Sequence, residues 1–94
     1  MGQTVATAER SLNLHRLPPG VILCTNQEGA MALLNRSRMT VWEYVQDGRL
    51  RGFRVAGNVV TPLVDIANLL NLTETQVYNI ALTHDLPLWQ IRAK

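Results

Sequence analysis

The chain has 94 residues, of which 47% are hydrophobic and 17% are charged, and its formal net charge is +2. This length allows one domain, because chains usually divide at roughly 100–200 residues per domain, and the composition excludes the low-hydrophobicity, high-charge range of disordered chains. The single cysteine, Cys24, excludes an intramolecular disulfide and zinc sites that need several cysteines.

Residues 1–20 predict a flexible N-terminal arm, because they show no sustained apolar period and end in a Pro-Pro-Gly sequence that cannot be helical. Residues 21–94 are expected to form a single domain. Its first segment, the apolar run 21–24, indicates a strand or an extended anchor. Thr25 and Glu28 then form a capping box, which predicts that the first helix starts with Thr25 as its cap.

The next segment predicts a helix, a sharp turn and a second helix. Asn35 ends the first helix, since asparagine readily adopts the left-handed conformation. Ser37 is the expected cap of the second helix, which continues over 39–45 and ends at Asp47 and Gly48. Its candidate inward positions are Val41, Trp42, Tyr44 and Val45.

A change of period predicts a β-hairpin after the second helix. Phe53 and Val55 alternate with Arg54, and the Gly57-Asn58 pair marks a tight turn before Val59 and Val60.

Two more helices and a strand are expected in the rest of the chain. Thr61 and Pro62 predict the start of the third helix, with threonine as the cap and proline at the first helical position, and Asn71 its end. Thr73 and Gln76 form a second capping box, which predicts the fourth helix. The expected core face of that helix consists of Val77, Tyr78, Ile80, Ala81 and Leu82. Residues 86–91 predict a short terminal strand.

An internal repeat at an offset of 36 residues relates the two helical pairs. The motif Leu33-Leu34-Asn35 matches Leu69-Leu70-Asn71, and Ser37 corresponds to Thr73. Each half then consists of a helix, a turn, a helix and a strand, with the hairpin completed only in the first half. The alternative is a chance similarity between two helical hairpins.

The charges of the two halves differ. Residues 36–54 carry five arginines and a net charge of +3, whereas residues 55–91 carry −3. Arginine favours bidentate contacts with phosphate or guanine edges, although a plain solvated surface is the alternative. We therefore expect nucleic-acid contact from residues 25–71, and packing or self-association from residues 72–94, where acidic groups would repel phosphate.

Residues 25–70 resemble the winged helix-turn-helix of the MerR superfamily, most closely its small excisionase-like branch; the segment after residue 72 falls outside the resemblance. The matching segments are Thr25-Asn26-Gln27-Glu28-Gly29-Ala30, Ser37-Arg38-Met39-Thr40-Val41-Trp42, Asp47-Gly48-Arg49-Leu50, Arg54-Val55-Ala56-Gly57-Asn58 and Asp65-Ile66. The fold class predicted is mainly α with a small β-hairpin wing: a winged helix-turn-helix followed by a second helical hairpin and a short C-terminal strand.

The resemblance implies that the second helix lies in the DNA major groove and that the hairpin touches the flanking backbone or minor groove. Arg38, Thr40 and Glu43 are then expected to reach base edges, and Ser37 to offer helix N-terminal amides to phosphate. Arg51 and Arg54 are the strongest phosphate or minor-groove candidates. The full set of candidate DNA contacts is Arg36, Ser37, Arg38, Thr40, Glu43, Arg49, Arg51, Arg54 and Asn58.

The leading functional hypothesis is a small sequence-specific double-stranded DNA-binding protein, acting as a repressor-like transcriptional regulator. It is expected to bind as a homodimer or higher array, because the few phosphate contacts of a monomer give little specificity. One alternative is an excisionase-like architectural factor or a plasmid or phage partition protein. Another is an oligomeric protein-interaction module, or the DNA-recognition subunit of a phage packaging motor.

Other functions find no support in the sequence. Neither histidine stands near a nucleophile at a catalytic spacing, and there is no glycine-rich phosphate loop, so we expect no enzyme, no cofactor and no metal. The sequence contains no signal-peptide pattern and no apolar run long enough to span a membrane. A cytoplasmic protein without a membrane partner is therefore expected.

Overall fold

The computed structural model describes residues 17 and 19–92, so most of the predicted arm lies outside the described residues. The described residues form four helices and a four-stranded antiparallel sheet with the strand order β2-β3-β1-β4. In chain order the elements are β1 (Val21–Asn26), α1 (Gln27–Leu34), α2 (Arg38–Asp47), β2 (Phe53–Val55), β3 (Asn58–Pro62), α3 (Leu63–Leu70), α4 (Glu74–Thr83) and β4 (Trp89–Arg92).

The predicted fold class, mainly α with a small hairpin, is wrong. Helices account for 48% and strands for 24% of the described residues, which makes this a mixed α/β fold. The second strand of the hairpin, β3, is a central strand of the sheet and pairs with β1 as well as with β2. No local pattern reveals the β1–β3 pairing, because its partners lie more than 30 residues apart in the chain.

Two threonines that were predicted to cap helices lie in the central strands instead. Thr25 is fully buried in β1, and its hydroxyl donates a hydrogen bond to the Pro87 carbonyl at 2.7 Å. Asn26 caps α1, with its side-chain oxygen 2.8 Å from the Gly29 nitrogen. Thr61 lies in β3, and α3 starts after Pro62 with no side-chain cap. Threonine suits both a cap and a strand, and the sheet pairing decides between them.

The other helix boundaries confirm the sequence signals. Asn35 and Asn71 are left-handed, with φ of 55° and 62°, and end α1 and α3. Ser37 caps α2, and Thr73 forms a complete capping box with Gln76 at the start of α4. At these four positions the helices therefore start and stop where local capping chemistry dictates.

The 36-residue repeat extends to the whole described fold. α1 and α3 start and end 36 residues apart, as do α2 and α4. The sheet register is also unchanged when the halves are exchanged: Cys24 pairs with Pro62 and Asn26 with Val60, on either side of the pair Thr25–Thr61. The first half of the fold, from β1 to β2, and the second half, from β3 to β4, are thus related by a local two-fold axis that passes through the Thr25–Thr61 pair.

The two-fold relation explains the strand order. β1 pairs with β4 in the same register in which β3 pairs with β2, so Cys24 and Trp89 correspond to Val60 and Phe53. The hairpin predicted only for the first half therefore has a counterpart, made by the first and last strands of the described fold. With the halves divided between β2 and β3, all strand pairings among the described residues join one half to the other, so neither half has a sheet of its own.

The core lies between the sheet and the helices. α1 and α3 pack on the central strands and on each other, α2 packs on α1, and α4 packs on both α3 and α1. The largest fully buried apolar side chains include Val41, Leu50, Leu63, Ile66 and Val77. None of the described helices has the length and apolar character that crossing a membrane requires.

The hairpin turn lies one residue earlier than predicted. Ala56 and Gly57 are its two central residues, with φ of 50° and 83°, and Val55 pairs with Asn58. Positive φ at both positions is typical of the mirror-image turn that fits the strand twist, in which asparagine and glycine are preferred. Alanine is poorly suited to the first position, since a left-handed β-carbon costs roughly 1–2 kcal/mol.

We therefore expect Ala56→Asn to raise the free energy of unfolding by about 0.5–1 kcal/mol, because asparagine tolerates the left-handed conformation better than alanine. Urea unfolding with an unchanged m-value would measure the gain. The same change at Ala32, exposed on α1, is the control and should lower stability through helix propensity. An Ala56→Asn variant no more stable than the parent would contradict the expectation.

Candidate nucleic-acid interface

The two predicted helices and the sharp turn between them are present as α1, residues 35–37 and α2. The turn is closed by the Asn35 and Arg36 amides, which both donate to the Met31 carbonyl. The Ser37 hydroxyl then accepts from the Thr40 amide at 3.3 Å and donates to the Thr40 hydroxyl at 3.2 Å. These bonds place the exposed Arg36 side chain in the turn, directly before the N-terminus of α2.

The exposed face of α2 differs from the predicted one. Val41 is fully buried and Tyr44 and Val45 are partly buried, whereas Trp42 is 51% and Met39 64% exposed. The prediction that Trp42 points inward is wrong. Its counterpart in the repeat, Tyr78, is only 5% exposed, because α4 packs on a second helix while α2 has no contact of comparable extent with α3.

Arg38 is held by two side chains from the start of α1. Its guanidinium donates to the Gln27 side-chain oxygen at 2.8 Å and to the Glu28 carboxylate at 2.6 Å. The Arg38 and Glu28 side chains are 55% and 70% exposed, so this ion pair contributes little to stability. Its effect is to orient the guanidinium beside Trp42 and Met39.

Arg51, a predicted phosphate contact, has a partner within the protein. Its guanidinium makes two hydrogen bonds of 3.1 Å to the Asp65 carboxylate, and its backbone amide donates to the same group at 2.9 Å. The hydrogen bond to Asp65 raises the pKa of Arg51. The pair ties the segment after α2 to the first turn of α3.

The remaining predicted arginines have no carboxylate partner among the described residues. Arg36 lies in the turn and Arg54 on β2, both exposed. Arg49 lies just after α2, with its guanidinium carbon 5.5 Å from the centre of the Tyr44 ring, within the range of a cation–π contact. Among the described residues of this half, these three arginines are the exposed cations without a carboxylate partner.

The other predicted contacts are distributed around the same half. Thr40 is partly exposed on α2 and is engaged with Ser37. Glu43 is exposed on α2, and Asn58 is exposed at the first position of β3, paired with Val55.

A surface groove adjoins Arg38, and the sequence interpretation missed it. The groove has a volume of about 560 Å³, and the described residues that line it are Gln27, Arg38, Met39 and Trp42. One sequence signal could have revealed the groove: on a helical wheel, Met39 lies opposite the buried Val41 and Trp42 lies beside it. Periodicity alone did not reveal which aromatic residue of α2 is left uncovered.

The described residues offer little to redox or metal chemistry. Cys24 is fully buried, and its burial raises the pKa of the thiol to about 12, which keeps it protonated and unreactive at neutral pH. No group of three or more histidine, cysteine, aspartate or glutamate side chains that could hold a metal ion occurs in the described part of the chain.

Comparison with known proteins adds no assignment. No family model matches the chain, and neither the curated proteins nor the solved structures include a match.

Proposed function

We propose that the protein is a sequence-specific double-stranded DNA-binding protein that acts as a transcriptional regulator. The observation that carries the proposal is a helix-turn-helix followed by a β-hairpin, with exposed arginines in the turn, after the second helix and on the hairpin. Arg36, Arg49 and Arg54 have no carboxylate partner among the described residues. In the winged helix-turn-helix proteins that residues 25–70 resemble, the second helix lies in the major groove and the hairpin touches the flanking backbone or minor groove.

The charges on α2 and around it favour separate roles for the residues that contact phosphates and for those that contact bases. The exposed side of α2 carries Glu43 and Asp47, so the helix itself is a poor binder of phosphate. Phosphate contacts are then made by Arg36, Arg49 and Arg54 around the helix, while α2 contacts base edges. Backbone contacts of this kind position a protein on DNA, and base contacts specify the sequence.

The second half lacks the corresponding surface. The repeat counterparts of Arg36, Arg49 and Arg54 are Leu72, Asp85 and Gln90. Two apolar side chains on the second half, Leu69 on α3 and Ile80 on α4, are each 37% exposed. The missing arginines favour DNA contact by the first half, which leaves the second half for association of copies as a homodimer or higher array.

The wing arginine provides the test. Arg54→Gln, which introduces the residue of the repeat counterpart Gln90, is expected to weaken binding to all duplexes equally. The slope of log affinity against log salt should become shallower by about 0.9, since one phosphate contact is lost. Fluorescence-anisotropy titrations at several salt concentrations, with duplex from upstream of the coding region and a scrambled duplex, measure both effects.

The matched control is Arg92→Gln, the same change on β4, the opposite edge strand of the sheet. It removes the same charge and should leave the salt slope unchanged. Equal effects of the two variants would mean that Arg54 acts only through its contribution to the net charge of the protein. A well-folded parent protein that binds neither duplex would overturn the proposed function and favour a protein-interaction module.

A further inference from the structure

The groove beside Arg38, called here the Arg38 groove and lined by Gln27, Arg38, Met39 and Trp42, combines a held cation with an apolar surface. An arginine on an exposed helix usually samples many conformations, whereas the Arg38 guanidinium is held by two acceptors. A guanidinium has five N–H donors. Two are used by Gln27 and Glu28, which leaves three for a ligand in the groove.

The neighbouring carboxylate decides which ligand suits these donors. Glu28 lies 2.6 Å from the Arg38 guanidinium and offsets its charge. A phosphate at this place would be repelled by Glu28, whereas a neutral base edge with two acceptors would not. Guanine presents such an edge in the major groove, through O6 and N7, and a bidentate contact with arginine is its commonest specific contact.

The apolar side of the groove suits a methyl group. Met39 and Trp42 are the two most exposed large hydrophobic residues of the described chain, and both lie within one turn of Arg38. Among base edges in the major groove, thymine alone presents a methyl group, and apolar side chains recognise it. A pyrimidine stacked beside the guanine would bring that methyl group towards Met39 and Trp42.

We propose that the Arg38 groove selects a thymine–guanine step, with Arg38 donating to guanine O6 and N7 and with Met39 and Trp42 contacting the thymine methyl group. Gln27 and Glu28 act as positioning residues for Arg38. This inference rests on the proposed function and adds to it the base step that α2 reads.

The first test selects bound duplexes from a random-sequence library about two helical turns long, with the full chain. Enrichment of a thymine–guanine step in the bound fraction is the expected result. Binding without enrichment of any step, or enrichment of a step lacking guanine, overturns this inference and leaves DNA binding standing. No binding to any duplex overturns the proposed function together with it.

The second test replaces single atoms of the selected site. Substituting 7-deazaguanine for the guanine removes the N7 acceptor and should weaken binding about 5-fold or more. Substituting deoxyuridine for the thymine removes only the methyl group and should weaken binding about 2- to 4-fold. Equal affinity for the parent and both substituted duplexes overturns the assignment.

Protein variants separate recognition from charge. Arg38→Lys keeps the charge but loses the planar fork, so it should reduce the discrimination against 7-deazaguanine while leaving the salt slope unchanged. Glu28→Gln should reduce the same discrimination without weakening binding to unrelated duplexes. Met39→Ala should abolish the deoxyuridine effect alone. Arg92→Lys is the matched control, and a loss of discrimination in that variant would contradict the role of Arg38.

Discussion

Replacing Gly29 by alanine is expected to lower the free energy of unfolding by about 3 kcal/mol, although alanine is the better helix former by about 1 kcal/mol. A β-carbon at position 29 would overlap the hydroxyl oxygen of Thr25. That hydroxyl is buried and already donates to the Pro87 carbonyl, so it cannot move aside without breaking the bond. Urea unfolding of the variant, compared with the parent chain, measures the loss.

A double-mutant cycle isolates the cause. Thr25→Ala alone removes the buried hydrogen bond and should cost about 1–3 kcal/mol. In that background the hydroxyl oxygen is gone, although the β-carbon of residue 25 stays 3.0 Å from the added β-carbon. Adding Gly29→Ala should then cost much less than in the parent chain, about 1 kcal/mol or less, because the gain in helix propensity offsets the remaining close contact. If Gly29→Ala costs the same in both backgrounds, overlap with Thr25 is not the reason for the glycine.

Truncation of Ile66 to alanine is expected to cost about 2–5 kcal/mol. Ile66 is fully buried in α3 against the central strands, and its repeat counterpart, Ala30, is buried as well. The variant therefore carries alanine at both two-fold-related positions and leaves a cavity. For a chain of this length, with an expected stability of about 5–14 kcal/mol, this is a large share of the total.

The matched control for this truncation lies on the same helix. Leu69 is 37% exposed, so Leu69→Ala removes less packing and should cost about 1 kcal/mol or less. A similar cost for both variants would mean that Leu69 is covered, as it would be in a self-associated state. Repeating the unfolding at several protein concentrations distinguishes these cases, because the stability of an oligomer rises with concentration.

Local chemistry predicted most helix boundaries correctly. Asparagine at positions 35 and 71, serine at 37 and threonine at 73 act within a few residues of themselves, so their meaning is visible in the sequence. Thr25 and Thr61 have the same kind of side chain as these capping residues, but they lie in neighbouring strands and pair with each other across the sheet. A local pattern cannot distinguish a cap from a strand residue when a distant partner decides.

The candidate site was predictable only in part, because some of its features depend on neighbouring residues in the chain and others on distant partners. The pair of helices joined by the turn at 35–37 and the exposed arginines at 36, 49 and 54 follow from turn signals and charge. The partners of Arg38 and Arg51 lie 10 or more residues away, and only the folded chain brings the carboxylates of Glu28 and Asp65 to them. The exposure of Trp42 depends on the packing of α2, which the periodicity of the helix does not determine.

The local two-fold relation determines how substitutions can make the two related faces of the protein differ. In a homodimer every substitution occurs on both sides of the axis, so both binding faces stay identical and the preferred site is a palindrome. Here the related positions are encoded separately, and arginine at 36 coexists with leucine at 72. The two related faces of such a chain can therefore differ in sequence and in what they bind. Bound to DNA through its first half, each copy would read a non-palindromic half-site and keep its second half for contact with another copy.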